Sequence, residues 1–174
     1  MTESLTPFTI APLTPHEIPA VIVLAREIWN LHYPGIITQQ QIDYMLDQRY
    51  TLALLNDELA SSLIHWDVAN ELTAAGRAVG FASTVHFPDA GELKLDKLYV
   101  RPEMHGCGIG RALVELAIER GHQADCDALV LGVNKHNEKA IHAYLRFGFV
   151  IRETLSTDIG GGFVMDDFIM ALSL

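Results

Sequence analysis

The chain has 174 residues, 49% of them hydrophobic and 20% charged, and its 12 Lys+Arg against 22 Asp+Glu leave a net charge of −10. That length predicts one domain, residues 1–174, with enough interior for a real core, and the apolar fraction excludes disorder as its main state. The acidic balance argues against nonspecific nucleic-acid binding, which needs Lys and Arg to displace counterions, and is compatible with a cationic substrate.

Phe8 to Ala11 alternates and reads as a first strand. Thr14-Pro15-His16-Glu17 is a helix start: Thr14 caps, Pro15 suits the first helical position and Glu17 completes a capping box. Ile18, Val21, Ile22, Ala25, Ile28 and Trp29 then recur at helical spacing until Pro34-Gly35. Thr38 with Gln41 opens a second helix with Ile42, Met45 and Leu46 inward, and Thr51 to Ser61 reads as a third. Leu63 to Val68 and Arg77 to Phe87 are strands of a hairpin with Gly76 in its turn.

After the Pro88 to Gly91 turn, Leu93 to Val100 is the next strand. Its alternation slips near Lys97, where two polar residues adjoin, which predicts a bulge. A glycine-rich turn leads into a helix from Ile109 to Arg120, its inner stripe Ile109, Ala112, Leu113, Leu116 and Ala117, ended by Gly121. Ala128 to Val133 is a strand, Asn137 to Phe147 a helix stopped by Gly148, and two strands, Phe149 to Thr157 and Phe163 to Leu172, join through three glycines. The strand-helix-strand unit in the middle should be parallel and its neighbours antiparallel, giving a mixed sheet with helices on its faces.

No apolar run reaches the ~20 residues that span a bilayer, so no membrane span is expected. Met1 to Thr9 carries Glu3 and Pro7 without a basic start or an apolar block, so it does not read as a signal peptide. Cys107 and Cys126 do not make a disulfide framework, and a reduced, cytoplasmic setting is expected. His16, His65, His86, His122, His136 and His142 show no ligand spacing, and no metal site is expected.

The most informative segment is His105-Gly106-Cys107-Gly108-Ile109-Gly110-Arg111, between a strand and a helix. Glycines let backbone approach a ligand closely, and a helix N-terminus offers unpaired N–H groups and partial positive charge, which together suit a phosphate. Arg111 in the first turn opposes the dipole, a conflict that a bound anion would relieve. The segment matches neither the P-loop nor the dinucleotide fingerprint, because Arg111 or Leu113 stands where the latter needs its last glycine.

A second segment, Val133 to Phe149, makes the reading specific. Leu98-Tyr99-Val100-Arg101-Pro102, the His105 to Gly110 turn, Asn137 with Ala140 and Tyr144, and Phe147-Gly148-Phe149 resemble the GNAT superfamily of N-acetyltransferases in order and spacing. The resemblance implies a mixed, mostly antiparallel sheet of about seven strands with helices on both faces, splayed between the fourth and fifth strands to admit acetyl-CoA. It places the cofactor pyrophosphate on the turn formed by His105, Gly106, Cys107, Gly108, Ile109, Gly110 and Arg111, and the pantetheine arm along Leu98, Tyr99 and Val100, with Asn137 and Ala140 beside it. In the family's turn pattern His105 replaces the usual Gln or Arg, so any contact from its ring to phosphate would depend on pH. Tyr144 matches the tyrosine that protonates the departing thiolate. An unperturbed phenol, near ~10, is protonated at neutral pH and can donate to a thiolate near ~8.5.

An amine acceptor must lose a proton before it attacks. Glu92 and Asp96, on or beside the central strand, are the candidate bases, each weighed against a solvated surface group. Trp29, His32 and Tyr33, at the end of the first helix, are the candidate acceptor site. Asp158, Asp166 and Asp167 flank the last glycine turn and could attract a cation. The expected activity is direct transfer of an acetyl group from acetyl-CoA to a small cationic amine, through resemblance to the polyamine N-acetyltransferase-like subgroup. A protein or peptide amine acceptor and a silent acyl-CoA-binding module remain the alternatives. A homodimer through the last strand is left open.

Overall fold

The computed structural model describes residues 7–73 and 76–174. Seven strands form one sheet: β1 (Phe8–Pro12), β2 (Ile64–Glu71), β3 (Ala78–Phe87), β4 (Glu92–Val100), β5 (Ala128–Asn134), β6 (Val150–Gly160) and β7 (Phe163–Ser173), in the order β1-β2-β3-β4-β5-β7-β6. Every neighbouring pair is antiparallel except β4 and β5. Five helices cover the faces: α1 (Ile18–His32), α2 (Gln39–Arg49), α3 (Leu52–Ala60), α4 (Ile109–Gln123) and α5 (Glu138–Phe147). Among the described residues no helix is long and apolar enough to cross a membrane.

The helix starts follow the capping chemistry. Glu17 accepts from both the N–H and the hydroxyl of Thr14, at 2.9 and 2.6 Å, and Gln41 N–H donates to the Thr38 hydroxyl at 3.2 Å. The chain reaches α1 itself through a 3-10 turn at Pro15–Glu17. α4 runs past Gly121 to Gln123, which corrects the expected stop. A Cβ at Gly121 would lie 2.3 Å from Leu174 Cδ1, so this glycine is a contact between helix and chain end rather than a cap. Its stripe also includes Val114, buried where the sequence pattern favoured the partly buried Ala112 and Leu116.

Two cores result, one per face. Ile18, Val21, Leu24, Ile28 and Trp29 of α1 join Ile42, Leu46, Tyr50, Leu55, Trp66 and Phe81 on one side; Ile109, Leu113 and Ala117 of α4 meet Leu93, Leu95, Leu129 and Leu131 on the other. α5 buries no residue completely but lays Ala140, Ile141, Tyr144 and Phe147 on the second core.

The expected bulge lies in β4. Ser83 faces Lys97 and Thr84 faces Leu95, so Asp96 is the extra residue. A bulge reverses the facing of all that follows. Leu93 and Leu95 point to the α4 side; beyond the bulge Leu98 and Val100 take that side, and Tyr99 turns to the α1 side among Trp29 and Phe81.

Candidate functional site

β4 and β5 pair only over Glu92–Ala128, Leu93–Leu129 and Lys94–Val130. Beyond Lys94 the strands part, and among the described residues the backbone of β4 from the bulge onward has no strand partner on that side. The parting opens a cleft of about 490 Å³, and residues of both faces line it. It is therefore a passage through the sheet.

At one end is the glycine turn. Gly106 and Gly108 have φ of +86° and +88°, a region that side chains rarely adopt, and nothing lies within 4 Å of where their Cβ atoms would be. α4 starts without a side-chain cap and without an acidic residue in its first turn. Among the described residues, the N–H groups of Gly108, Ile109, Gly110 and Arg111 reach no backbone acceptor, whereas the next N–H, of Ala112, bonds Gly108. Four orphan donors around an open concavity fit a phosphate group. Arg111 itself turns back along the exposed helix surface to Glu115, at 2.7 Å.

His105 is engaged elsewhere. Its Nε2 lies 3.0 Å from the Val100 carbonyl, which can only accept, so that nitrogen carries the proton and Nδ1 accepts from Lys139 Nζ at 3.0 Å. The ring thus ties the end of β4 to α5. His32 approaches the same place: burial lowers its pKa, with Lys139 and His105 adding to the effect against a contact with Asn137, so its imidazole is neutral at pH 7.

Tyr144 lines the cleft from α5, its ring held edge-on to Phe149 at 5.6 Å. Among the described residues its hydroxyl has no hydrogen-bond partner. Burial raises its pKa above that of a free phenol, and Tyr33 adds to the shift, so the hydroxyl stays protonated throughout the neutral range.

The other end is aromatic and carboxylate-lined. Trp29 and Tyr33 lie 4.6 Å apart between ring centroids, and the Tyr33 and Tyr99 hydroxyls meet at 3.1 Å. Asp96 lies beside them within a cage of cations: Arg49 at 2.8 Å, Lys94 at 2.7 Å and Lys97 at 2.8 Å. Burial pushes its pKa up, but Lys97, Arg49 and Lys94 together pull it further down, well below the carboxylate range. Asp167 of β7 lines the same end and is 8% exposed. α2 holds the β6–β7 hairpin over this end, with Gln41 Nε2 donating to the Val164 carbonyl at 2.9 Å and the Tyr44 hydroxyl to that of Ile159 at 2.8 Å.

The fold thus brings Trp29, His32, Tyr33, Asp96, Leu98, Tyr99, Val100, His105, Gly106, Gly108, Ile109, Gly110, Arg111, Asn137, Ala140 and Tyr144 to one cleft. Two candidates are not brought there. Glu92 lies at the paired start of β4, bonded to Arg152 at 2.5 Å, because the splay begins only after Lys94. Cys107 packs against the α4-side core instead of lining the cleft. Asp96 is present, but three cations hold its lone pairs, which makes it a poor proton acceptor. Arg49, Gln41, Lys139 and Gly132 also line the cleft and were not among the candidates. Only Gly132 carried a signal, as an isolated glycine within an apolar strand. Among the described residues no three His, Cys, Asp or Glu come together as a metal-binding group.

The Acetyltransferase (GNAT) family profile matches residues 24–149. The chain belongs to this family. An uncharacterized N-acetyltransferase of Mycobacterium bovis is 31% identical over 99 residues, which is 57% of this chain and 62% of that relative's own length, so less than two thirds of it is matched. The spermidine N(1)-acetyltransferase of Thermoplasma acidophilum is 25% identical over 153 residues, 86% of this chain and 92% of that one. The PaiA N-acetyltransferase of T. acidophilum, crystallised with coenzyme A, shares the fold at a TM-score of 0.80 and 24% identity, over 97% of this chain and 99% of that one.

Proposed function

We propose that this protein is an N-acetyltransferase that moves the acetyl group of acetyl-CoA to the primary amine of a small cationic, polyamine-like acceptor, with both substrates bound at once. The observation that carries the reading is the passage through the sheet, with four orphan N–H groups at one end and a roofed, carboxylate-lined chamber at the other. Acetyl-CoA supplies a thioester, whose acyl carbon is the electrophile.

The N–H groups of Gly108 to Arg111 would hold its pyrophosphate, with Asn137 and the unpaired edge of β4 beside the pantetheine arm. The freed β4 amides beyond Lys94 also offer donors for charge developing on the carbonyl oxygen. Tyr144 keeps its proton until a sulfur leaves. The burial that weakens the phenol as an acid also penalises a thiolate released beside it, so the proton still has reason to move.

The acceptor class is supported from three sides. Net charge is −10, the chamber holds buried carboxylate, and the matched Thermoplasma enzyme is named for spermidine. The roof formed by α2 and the β6–β7 hairpin suits a small amine better than a polypeptide chain. The setting is cytoplasmic, in keeping with the free thiols of Cys107 and Cys126. The last strand, β7, is paired on both sides by β5 and β6, so the homodimer expected through it has no free edge there; the exposed outer strand β6 is the edge on that side that a second copy could meet.

The test is thiol release from acetyl-CoA across a panel of polyamines, monoamines, amino acids and lysine peptides. Turnover is expected with polyamines and weak with peptides. Peptide turnover exceeding that of polyamines would move the acceptor to proteins, and binding without turnover on any amine would leave an acyl-CoA-binding module.

A further inference from the structure

Three cations stand near Asp167, and each is already bonded to another carboxylate. Arg49 of α2 and Lys94 of β4 are bonded to Asp96, at 2.8 and 2.7 Å; Lys135, beyond β5, is bonded to Asp166. Among the described residues the Asp167 carboxylate has no hydrogen bond and no ion pair, although the residue as a whole is only 8% exposed. It is not shielded from the cleft, which it lines together with Tyr33, Tyr99 and Met165. Gly132, across on β5, leaves it room: a Cβ there would lie 3.4 Å from Asp167 Oδ2.

A carboxylate drawn partly out of water without a protein partner adds little to a fold. Burial raises its pKa, and Asp166 adds to this, while Arg49, Lys94 and Lys135 only moderate the rise. The contrast with Asp96 is instructive. The two carboxylates line one cleft, and their surroundings drive their proton affinities in opposite directions. Such a separation marks one as a fixed counter-charge and the other as a group able to take a proton.

We propose that the Asp167 carboxylate receives the reacting ammonium group of the amine acceptor and takes the proton that must leave before the nitrogen can attack. This deepens the acetyl-transfer reading above and rests on it. Among the described residues an ammonium entering the chamber meets one open carboxylate, since Asp96 is surrounded by Arg49, Lys94 and Lys97. The nitrogen loses one proton to Asp167, which passes it to solvent. The neutral amine forms the N–C bond as the C–S bond breaks, and the sulfur takes the Tyr144 proton. The second nitrogen proton, shed at that point, restores the phenol through water. The net result is one amide, one thiol and one proton released.

The experiment compares wild type, Asp167→Asn, Asp167→Glu and Asp166→Asn, using the best amine of the panel. For Asp167→Asn, kcat/KM should fall by about 100-fold or more, the range for loss of a general base. Acetyl-CoA affinity by calorimetry should stay within about twofold, because the turn at Gly108 is untouched, and Tm at pH 7 should be unchanged or higher. Asp167→Glu should recover part of the loss. Asp166→Asn should move the acid limb of the kcat/KM profile to lower pH without lowering its plateau, since it removes a neighbouring negative charge. Activity of Asp167→Asn within threefold of wild type, or an acid limb unmoved in Asp166→Asn, would overturn the assignment while leaving the acetyl-transfer reading intact. A wild-type protein that turns over no amine would overturn both.

Discussion

Replacing Asp96 by Asn tests whether the charge cage at the bulge is structural. The side chain is 13% exposed and bonds Arg49, Lys94 and Lys97, and Lys97 is itself only 4% exposed, lying 4.8 Å from the Trp66 ring centroid and 3.5 Å from Glu58. Removing the shared carboxylate leaves Lys97 and Arg49 short of counter-charge in a partly dry site. Breaking a buried ion pair from one side costs about 3–5 kcal/mol. A chain of this size loses about 2–4 °C in Tm per kcal/mol, so the expected fall is about 6–20 °C by calorimetric or fluorescence melting. The pH dependence has a defined sign. The folded-state pKa of Asp96 is depressed, so its contribution is complete above the unfolded carboxylate value near ~3.9 and is lost as pH falls below it. The variant should therefore show a shallower loss of stability on acidification than wild type. A Tm within 2 °C of wild type at pH 7, with turnover abolished, would refute the reasoning and return Asp96 to the role of base.

Tyr144→Phe removes a hydroxyl that has no partner among the described residues, so Tm should hold within about 2 °C while kcat falls by about 100- to 10,000-fold, read as thiol release with acetyl-CoA affinity measured in parallel. Gly108→Ala forces a side chain into φ +88° and into the phosphate concavity, so acetyl-CoA binding by calorimetry should weaken at least about tenfold, with strain of about 1–3 kcal/mol seen in melting. Gly160→Ala places a Cβ 2.7 Å from the Tyr44 hydroxyl at φ +85°, which should loosen the roof; KM for the amine should rise while acetyl-CoA affinity is unchanged.

Much of this architecture is legible in the residues because local chemistry and tertiary need agree there. Thr14 with Glu17 and Thr38 with Gln41 announce helices that the core then uses, and the adjoining Asp96-Lys97 pair betrays the bulge that turns Tyr99 toward Trp29. The turn at His105 to Gly110 was readable for the same reason, since positive φ at Gly106 and Gly108 requires glycine. Gly121 misled because its glycine answers a contact with Leu174, 53 positions away, which no local pattern encodes. The base was illegible for a related reason. Glu92 and Asp96 sit four residues apart on one strand, but whether either faces the cleft depends on where β4 leaves β5. Asp167 differs from Asp166 only in which side of β7 it occupies and in Lys135 having paired with its neighbour.

Acetyl-CoA should enter where β4 and β5 part and present its sulfur to Tyr144. A crystal structure of the protein with coenzyme A tests this most directly. The pyrophosphate should lie against the N–H groups of Gly108 to Arg111, the pantetheine arm along β4 beyond Lys94, and the sulfur within hydrogen-bonding reach of the Tyr144 hydroxyl. Coenzyme A bound outside the splay, or seated in it with the sulfur out of reach of Tyr144, would contradict that claim.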